Sequence, residues 1–193
     1  MRPMNLAVAK IILFEVKEIL DELGIEFWLH YGVCLGAHRE GNFIEYDKDI
    51  DLGVKHEVIV PRMKELKAVF FSHGYRMKAA SAPFPYERAL SVYKNSIHTD
   101  IVGFALNKLD RFSACTFKDR CTVHKASFFE NMATINFLGK EFLVPTPIEE
   151  YLESEYGPTW RIPQSNFLMR NYPSTVHGYW AKTEYSKKFK DMK

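Results

Sequence analysis

The chain has 193 residues, with 26 basic and 24 acidic side chains and a formal net charge of +2. This balance does not favour a nucleic-acid partner, because proteins that bind nucleic acid carry clustered positive charge. A hydrophobic content of 47%, with 15% aromatic residues, excludes an intrinsically disordered chain. The length predicts a single compact core. Three cysteines, an odd number, argue against a disulfide framework and lead us to expect a reducing, cytoplasmic location.

The N-terminal segment predicts an amphipathic helix, because apolar residues at positions 8, 12, 16, 19, 20 and 23 follow a helical period up to Gly24. Charged residues interrupt its apolar run, which is therefore too short for a signal peptide. No segment approaches the roughly 20 apolar residues that a transmembrane helix needs, so we expect no integral membrane segment.

Further along the chain, short apolar runs separated by Gly, Pro and Asn predict both strands and helices. The predicted strands are Ile25–His30, Asp49–Val54, Tyr75–Lys78, Arg88–Tyr93, His98–Leu106 and a hairpin of Met132–Leu138 with Glu141–Val144. The predicted helices are a short one ending near Arg39, one over Val60–Phe71 and one over Pro147–Glu155 with Thr146 as its cap. The tail Lys182–Lys193 is predicted to be a solvated helix or a frayed end.

Three acidic residues, Asp47, Asp49 and Asp51, stand at alternate positions and would share one face of a strand. Like charges side by side repel, but a hard divalent cation between them makes the arrangement favourable, and oxygen ligands suit Mg²⁺ or Mn²⁺. An EF-hand calcium loop is excluded, because Leu52 and Val58 stand where that loop needs Gly and Glu. A solvated acidic strand is the alternative interpretation.

A glycine-containing stretch precedes this run and predicts a tight turn that opens a short helix. The main chain at such a helix start can bind a phosphate oxygen. The candidate phosphate-binding residues are Gly32, Val33, Cys34, Leu35 and Gly36.

A third carboxylate for a metal site would have to come from another strand, and Asp100 is the best candidate. It is a polar residue just before the apolar part of the predicted strand His98–Leu106. Carboxylates grouped around one or two metal ions are what in-line displacement at phosphorus requires. The alternative is an Asp that caps a turn at the end of a strand.

These residues resemble the LicD/fukutin-related family of the nucleotidyltransferase superfamily. The first matching block contains Tyr31, Gly32, Leu35, Gly36, Ala37, Arg39, Gly41, Phe43, Ile44, Asp47, Asp49, Ile50, Asp51 and Gly53. The second block contains Phe142–Pro145, Tyr151-Leu152, Tyr156-Gly157, Trp160 and Pro163. Val33 and Glu45-Tyr46 depart from the family pattern.

The resemblance implies an α+β nucleotidyltransferase fold with a mixed β-sheet flanked by helices. We accordingly expect a catalytic core over 1–145 and a small C-terminal helical extension over 146–193 packed on it. The implied activity is transfer of a phosphorylated alcohol, such as phosphocholine or ribitol phosphate, from a CDP-linked donor to a hydroxyl acceptor such as a glycan.

The resemblance also implies roles for individual residues. Asp49, Asp51 and Asp100 would hold Mg²⁺ or Mn²⁺ with Asp47 beside them, or Asp100 would take the acceptor's proton. Arg39, which belongs to the matching block, is the first candidate for neutralising phosphate charge, unless it ends a helix and interacts with its dipole. Arg88 and Lys94 are further candidates from their position beside a predicted strand near Asp100 and not from the resemblance. Tyr156 and Trp160 are candidates for stacking on the nucleobase, or else belong to the core.

Two other functions remain open at this stage. One is a nucleotidyltransferase that attaches NMP to a small molecule, a protein or RNA, and it would release pyrophosphate where phospho-alcohol transfer releases CMP. The other is a non-catalytic nucleotide-binding module, which would bind nucleotide with metal but not turn it over.

Overall fold

The computed structural model describes residues 3–78, 90–106, 111–117, 120–164 and 173–177. Its helices are α1 (Leu6–Glu22), α2 (Tyr31–Arg39), α3 (His56–Ile59), α4 (Met63–Ser72) and α5 (Ile148–Tyr156), with a 3-10 helix at Ala126–Phe129. Among the described helices, none combines the length and the apolar character that a membrane crossing requires.

Helix α1 confirms the predicted amphipathic helix. Its N-cap is Asn5, whose side chain accepts hydrogen bonds from the amides of Ala7 and Val8. One stripe of the helix packs on the sheet and is fully buried at Ile12 and Val16.

The strands form one mixed sheet within the described residues. They are β1 (Phe27–Leu29), β2 (Ile50–Lys55), β3 (Arg76–Lys78), β4 (Leu90–Lys94), β5 (Ile97–Leu106), β6 (Arg111–Phe117), β7 (Arg120–Lys125), β8 (Ala133–Phe137), β9 (Lys140–Val144) and β10 (Thr175–His177). The order is β10-β7-β6-β5-β2-β1-β9-β8, while β4 pairs with both β3 and β5. The pairs β2–β5 and β1–β9 are parallel and the others antiparallel. The expected α+β fold with a mixed sheet is confirmed.

Strands β2 and β5 lie at the centre of the sheet and bring the acidic segments of the sequence together. Their parallel register places Asp51 beside Asp100. Close packing of β1 on β2 fixes this arrangement, because a Cβ at Gly53 would lie 2.2 Å from the Trp28 ring. Only glycine leaves room for the indole there, and Trp28 is fully buried.

Several predicted boundaries differ from the structure for local physical reasons. The helix predicted over Val60–Phe71 corresponds to α4, which begins only at Met63, and the short helix α3 before it was not predicted. Pro61 lies between the two helices and has no amide hydrogen to donate. Thr146 does not cap α5: its hydroxyl accepts a hydrogen bond from the Ala133 amide at 2.9 Å, and Pro147 is the N-cap.

Three strands were not predicted: β6, β7 and β10. Strand β10 pairs with β7, so the part of the chain expected to be a helical extension holds α5 and also a strand of the main sheet. The division of the chain at residue 145 stays a prediction, and the predicted tail element over 182–193 lies outside the described residues.

Candidate active site

Two carboxylates and a histidine meet where β2 begins, beside the start of β5. Oxygen and nitrogen atoms of Asp49, His98 and Asp100 lie within 4.8 Å of one another. Asp49 Oδ2 is 3.8 Å from His98 Nδ1, and Asp100 Oδ1 is 2.9 Å from His98 Nε2. The Ser91 hydroxyl of β4 donates a hydrogen bond to Asp100. We call Asp49, His98 and Asp100 the carboxylate site.

His98 was not among the residues predicted for this site. The signal was present in the sequence, because residues two apart on a strand share a face, and His98 is two residues before Asp100. Asp51 lies next to Asp100 in the register of β2 and β5. Its assignment as a metal ligand stays a prediction.

Asp47 does not share a strand with Asp51, contrary to the alternation argument, since β2 begins only at Ile50. Asp47 lies in the turn before the strand, where its Oδ1 accepts a hydrogen bond from the Lys48 amide at 3.0 Å. Burial, reinforced by the nearby Asp49 carboxylate, raises the pKa of Asp47 to about 7.

Gly32, near the start of α2, leaves the space that the Asp47 carboxylate occupies. A Cβ at Gly32 would lie 2.2 Å from Asp47 Oδ2, so any side chain there would displace the carboxylate. The glycine therefore joins the predicted phosphate-binding turn to the acidic segment by direct contact.

The other predicted phosphate-binding residues lie within α2. Val33 and Cys34 are fully buried in the core, and the Cys34 amide donates to the His30 carbonyl at 3.2 Å. Burial raises the pKa of the Cys34 thiol, which keeps it protonated. Gly36 packs against main chain, since a Cβ there would lie 2.5 Å from the Asn42 carbonyl oxygen. Amides without an intrahelical acceptor are thus confined to the first residues of the helix, and phosphate binding there stays a prediction.

A cavity of about 260 Å³ opens beside the carboxylate site. Its lining residues include Gly32, Leu35 and Arg39 of α2, Asp47 and Asp49 before β2, and Tyr156 and Trp160 at and after the end of α5. Residues of both matching sequence blocks therefore surround one cavity, although they are more than 100 positions apart in the chain.

Comparison with known proteins identifies the family. The family model "LicD/FKTN/FKRP, nucleotidyltransferase domain" matches residues 24–147. The chain belongs to this family. The match covers the acidic segment, β5 and the β8–β9 hairpin, which are the elements that build the carboxylate site and its surroundings.

Relatives in this family carry transferase names. Ribitol-5-phosphate transferase FKTN is 29% identical in Macaca fascicularis and 28% in Homo sapiens, in each case over 181 residues, 92% of this chain and 39% of the relative. Ribitol 5-phosphate transferase FKRP of Homo sapiens is 27% identical over 153 residues, 74% of this chain and 30% of the relative. The chain thus spans about two fifths of the length of its FKTN relatives.

Solved structures support the fold. The lincosamide antibiotic adenylyltransferase LnuA, with lincomycin bound, superposes with a TM-score of 0.50 at 14% identity, over 72% of this chain and 82% of that chain. The solution structure of the antibiotic-resistance factor ANT(2'')-Ia gives a TM-score of 0.51 at 15% identity, over 85% of this chain and 78% of that chain. This likeness concerns the fold alone.

In this LicD-family chain Arg39 has a structural role in the cavity wall. It is the last residue of α2, and its Nη1 donates to the Trp160 carbonyl oxygen at 2.9 Å. Its Nε and Nη2 donate to Glu40 Oε1 at 3.1 and 2.5 Å. The guanidinium therefore ties α2 to the segment after α5, and it borders the cavity with its charge already paired.

The lysine that lines the cavity is Lys48 and not the predicted Lys94. Lys94, proposed for phosphate binding, lies at the far end of β4, where its Nζ contacts Glu15 Oε1 at 2.5 Å and the His73 carbonyl oxygen at 2.8 Å. The structure does not bring it to the cavity. Lys48, which was not proposed, lines the cavity between Asp47 and Asp49. Arg88 lies outside the described residues.

The carboxylate site suits a divalent cation. Its two carboxylates are ligands of the kind that Mg²⁺ and Mn²⁺ take in proteins, and its imidazole is a nitrogen ligand of the kind that transition-metal ions take. Both ring nitrogens of His98 are buried without a hydrogen bond of acceptable geometry, which costs free energy unless an ion or water satisfies them.

A second group of polar side chains lies beneath the start of α2, and we call it the inner polar cluster: His30, His124, Tyr151 and Glu155. The Tyr151 hydroxyl is 2.7 Å from His30 Nδ1, and His124 Nε2 is 3.1 Å from Glu155 Oε2. All four residues are buried, and none of them lines the cavity. Burial, reinforced by His124, lowers the pKa of His30 well below its usual value.

Proposed function

We propose that this chain is a metal-dependent transferase domain that moves a phosphorylated alcohol of the ribitol-phosphate type from a CDP-linked donor to a hydroxyl of a glycan. The observation that carries the proposal is that one cavity is lined by Asp49, by other residues of the first family block and by residues of the second block. Family membership and the transferase names of the relatives, which match over 92% of this chain, support it.

The donor would lie along the cavity from the carboxylate site to the end of α5. Its diphosphate belongs near Gly32 and Lys48, where the helix start and a cationic side chain both favour anions. Its cytosine base would stack on Tyr156 or Trp160, the aromatic side chains that line the cavity at and after the end of α5.

Asp49, His98 and Asp100 would hold the divalent ion, with Asp51 adjacent to Asp100. When bound, such an ion neutralises charge on the diphosphate and orients the leaving group. The buried carboxylate of Asp100 is oriented by the hydrogen bond from the Ser91 hydroxyl, and its Oδ1 lies 2.9 Å from His98 Nε2.

Asp47 is the group best positioned to take the acceptor's proton. It lines the cavity, whereas Asp100 is 2% exposed and is held by Ser91. The acceptor oxygen forms a bond to the phosphorus that carries the alcohol, and its proton passes to the Asp47 carboxylate. The bond from that phosphorus to the bridging oxygen breaks, and CMP leaves with this oxygen.

The decisive experiment follows the products formed from CDP-ribitol, CDP-choline and nucleoside triphosphates in the presence of Mg²⁺ or Mn²⁺. We expect CMP release from a CDP-alcohol, and a thermal shift on binding that corresponds to about 2.7 kcal/mol at 100-fold excess over Kd. Asp49→Asn should abolish both the CMP release and the thermal shift. The control variant Asp21→Asn, which makes the same change at an exposed position of α1, should retain both.

Other outcomes would replace the proposal. Pyrophosphate release from a nucleoside triphosphate, without CMP release from any CDP-alcohol, would indicate NMP transfer. Metal-dependent nucleotide binding without any turnover would indicate a binding module.

A further inference from the structure

We propose that His98 is a direct metal ligand and that it makes this site prefer Mn²⁺ to Mg²⁺. The inference rests on the metal-dependent transfer proposed above and adds the class of ion. Nothing in the acidic motif itself distinguishes these two ions, because carboxylates suit both of them.

The first argument is the contact between His98 and Asp100. Nε2 and Oδ1 are only 2.9 Å apart, yet the two atoms do not form a hydrogen bond of acceptable geometry. Two neighbouring ligands of one octahedral ion, at bond lengths of about 2.1 Å, lie roughly 3 Å apart without a hydrogen bond between them. The observed separation fits two ligands of one ion. Among the described residues, the similar contact of His124 with Glu155 lacks the second carboxylate that Asp49 provides here.

The second argument is burial. His98 is 5% exposed, and neither ring nitrogen has a hydrogen-bond partner among the described residues. A buried imidazole in that condition is costly, and coordination of an ion through one ring nitrogen removes the cost at that nitrogen.

The third argument is that the ring is held in one orientation. The Tyr93 ring stacks on it at 4.4 Å between centroids, with 3° between the planes. Ser91, on the same strand as Tyr93, holds Asp100. Strand β4 therefore orients two of the three ligands, as supporting residues do in metal sites.

The preference for Mn²⁺ follows from the chemistry of the nitrogen ligand. Mg²⁺ prefers oxygen and keeps several of its waters, so a water can replace the imidazole at little cost. Mn²⁺ also binds oxygen ligands, but it is the first member of the transition-metal series whose divalent ions bind sites with nitrogen ligands. Loss of the ring should therefore weaken Mn²⁺ binding more than Mg²⁺ binding.

The test measures metal affinity directly on the full chain without nucleotide. Free Mn²⁺ is quantified by electron paramagnetic resonance in a titration, and Mg²⁺ is added as a competitor. His98→Phe keeps a ring to stack on Tyr93 but removes both nitrogens, and His98→Gln offers an amide oxygen in their place. His73→Asn, at an exposed histidine outside the carboxylate site, is the matched control.

We expect the unmodified chain to bind Mn²⁺ more tightly than Mg²⁺. His98→Phe should weaken Mn²⁺ binding about tenfold or more and Mg²⁺ binding about threefold or less. His98→Gln should likewise bring the two affinities closer together, while Asp49→Asn should weaken both ions alike.

An unchanged ratio of the two affinities in His98→Phe would overturn the proposal, and so would an absence of Mn²⁺ binding to the folded chain. The first result would indicate that His98 only supports Asp49 and Asp100 by charge or packing. Neither result decides whether CMP is released from a CDP-alcohol, so this inference and the proposed function can fail separately.

Discussion

The carboxylate site and the inner polar cluster both bring titratable side chains within a few ångströms of each other, but they differ in access. Asp49 keeps 29% of its side chain exposed and borders the cavity. His124 and Glu155 have fully buried side chains and no contact with the cavity. Proximity of titratable groups alone therefore does not identify a functional site in this fold. The distinguishing feature is that one member of the carboxylate site, Asp49, lines a cavity, although His98 and Asp100 are themselves buried.

The inner polar cluster connects elements that the cavity requires. Tyr151 and Glu155 belong to α5, His30 precedes α2, and His124 lies on β7. A further contact, 2.7 Å between the Tyr31 hydroxyl and Thr122 Oγ1, joins α2 to β7 again. We infer that this cluster holds the walls of the cavity together, while the carboxylate site performs the chemistry. Substitutions in the two regions should consequently have different effects.

The largest expected effect is the loss of turnover in Asp49→Asn. Removing this charge should lower kcat about 10³-fold, a loss of roughly 4 kcal/mol of transition-state stabilisation. The melting temperature in metal-free buffer should stay the same or rise, because Asp49 repels Asp47. Turnover by CMP release and thermal unfolding are the two measurements. Wild-type turnover in this variant would place the site elsewhere, and Asp21→Asn controls for the substitution itself.

Substitution in the inner polar cluster should lower stability and leave donor binding unchanged, the reverse of the result expected for Asp49→Asn. Glu155→Leu removes the partner of His124 in a fully buried pair, which we expect to cost about 3 kcal/mol of unfolding free energy. Urea unfolding measures this loss, and donor affinity per folded molecule should change little. The double variant His124→Leu with Glu155→Leu should recover part of the stability. Equal stability of Glu155→Leu and wild type would contradict the assignment of a supporting role.

Acid should destabilise the inner polar cluster through His30. The pKa of His30 is lower in the folded chain than in the unfolded one. Below about pH 6.5 the unfolded chain therefore binds more protons, and the free energy of unfolding decreases as the pH decreases. Above that pH the imidazole is neutral in both states and contributes no slope. The neighbouring groups are Tyr151, Tyr31 and His124.

The measurement is the difference in unfolding free energy between wild type and His30→Asn, which keeps an amide near the Tyr151 hydroxyl. This difference should shrink as pH falls from 7.5 to 5, by up to about 1.4 kcal/mol per pH unit. Taking the difference removes the opposing effect of Asp47, whose raised pKa favours the folded state in acid. A difference that stays constant with pH would mean that His30 does not titrate as its burial requires.

Patterns with a local cause were predictable from the sequence, and patterns with a tertiary cause were not. The stripe of α1 and the β8–β9 hairpin depend on helical period and on a tight turn, and both are found. The start of β2 depends on pairing with β1 and β5, so alternation alone extended the strand to Asp49. Strands β6, β7 and β10 pair at one end of the sheet, and nothing in their short polar sequences indicates that pairing.

The predicted residues of the candidate site also include some that the structure places at the cavity and some that it does not. The alternating carboxylates, the predicted turn and the family motifs together led to Asp49, Gly32, Tyr156 and Trp160, which do lie around one cavity. Lys94 was predicted from its positive charge and its place at the end of a strand near Asp100. Position along the sequence, however, does not show which end of that strand lies near the cavity. The register shows the difference, since Ser91 is opposite Asp100 while Lys94 is opposite Ile97.

The smallest expected effects come from the two lysines, and together they test the distinction between cavity and scaffold. Lys94→Met breaks a half-buried ion pair with Glu15 and should cost about 0.5 kcal/mol of stability, with the KM for the donor unchanged. Lys48→Met should leave stability unchanged and raise the donor KM several-fold, because a cation beside the diphosphate binds ground state and transition state alike. Urea unfolding and steady-state kinetics on both variants decide the matter. If Lys94→Met raised the KM and Lys48→Met did not, the donor would have to lie on the β4 side of the carboxylate site, and the cavity at α2 and α5 would lose its assignment.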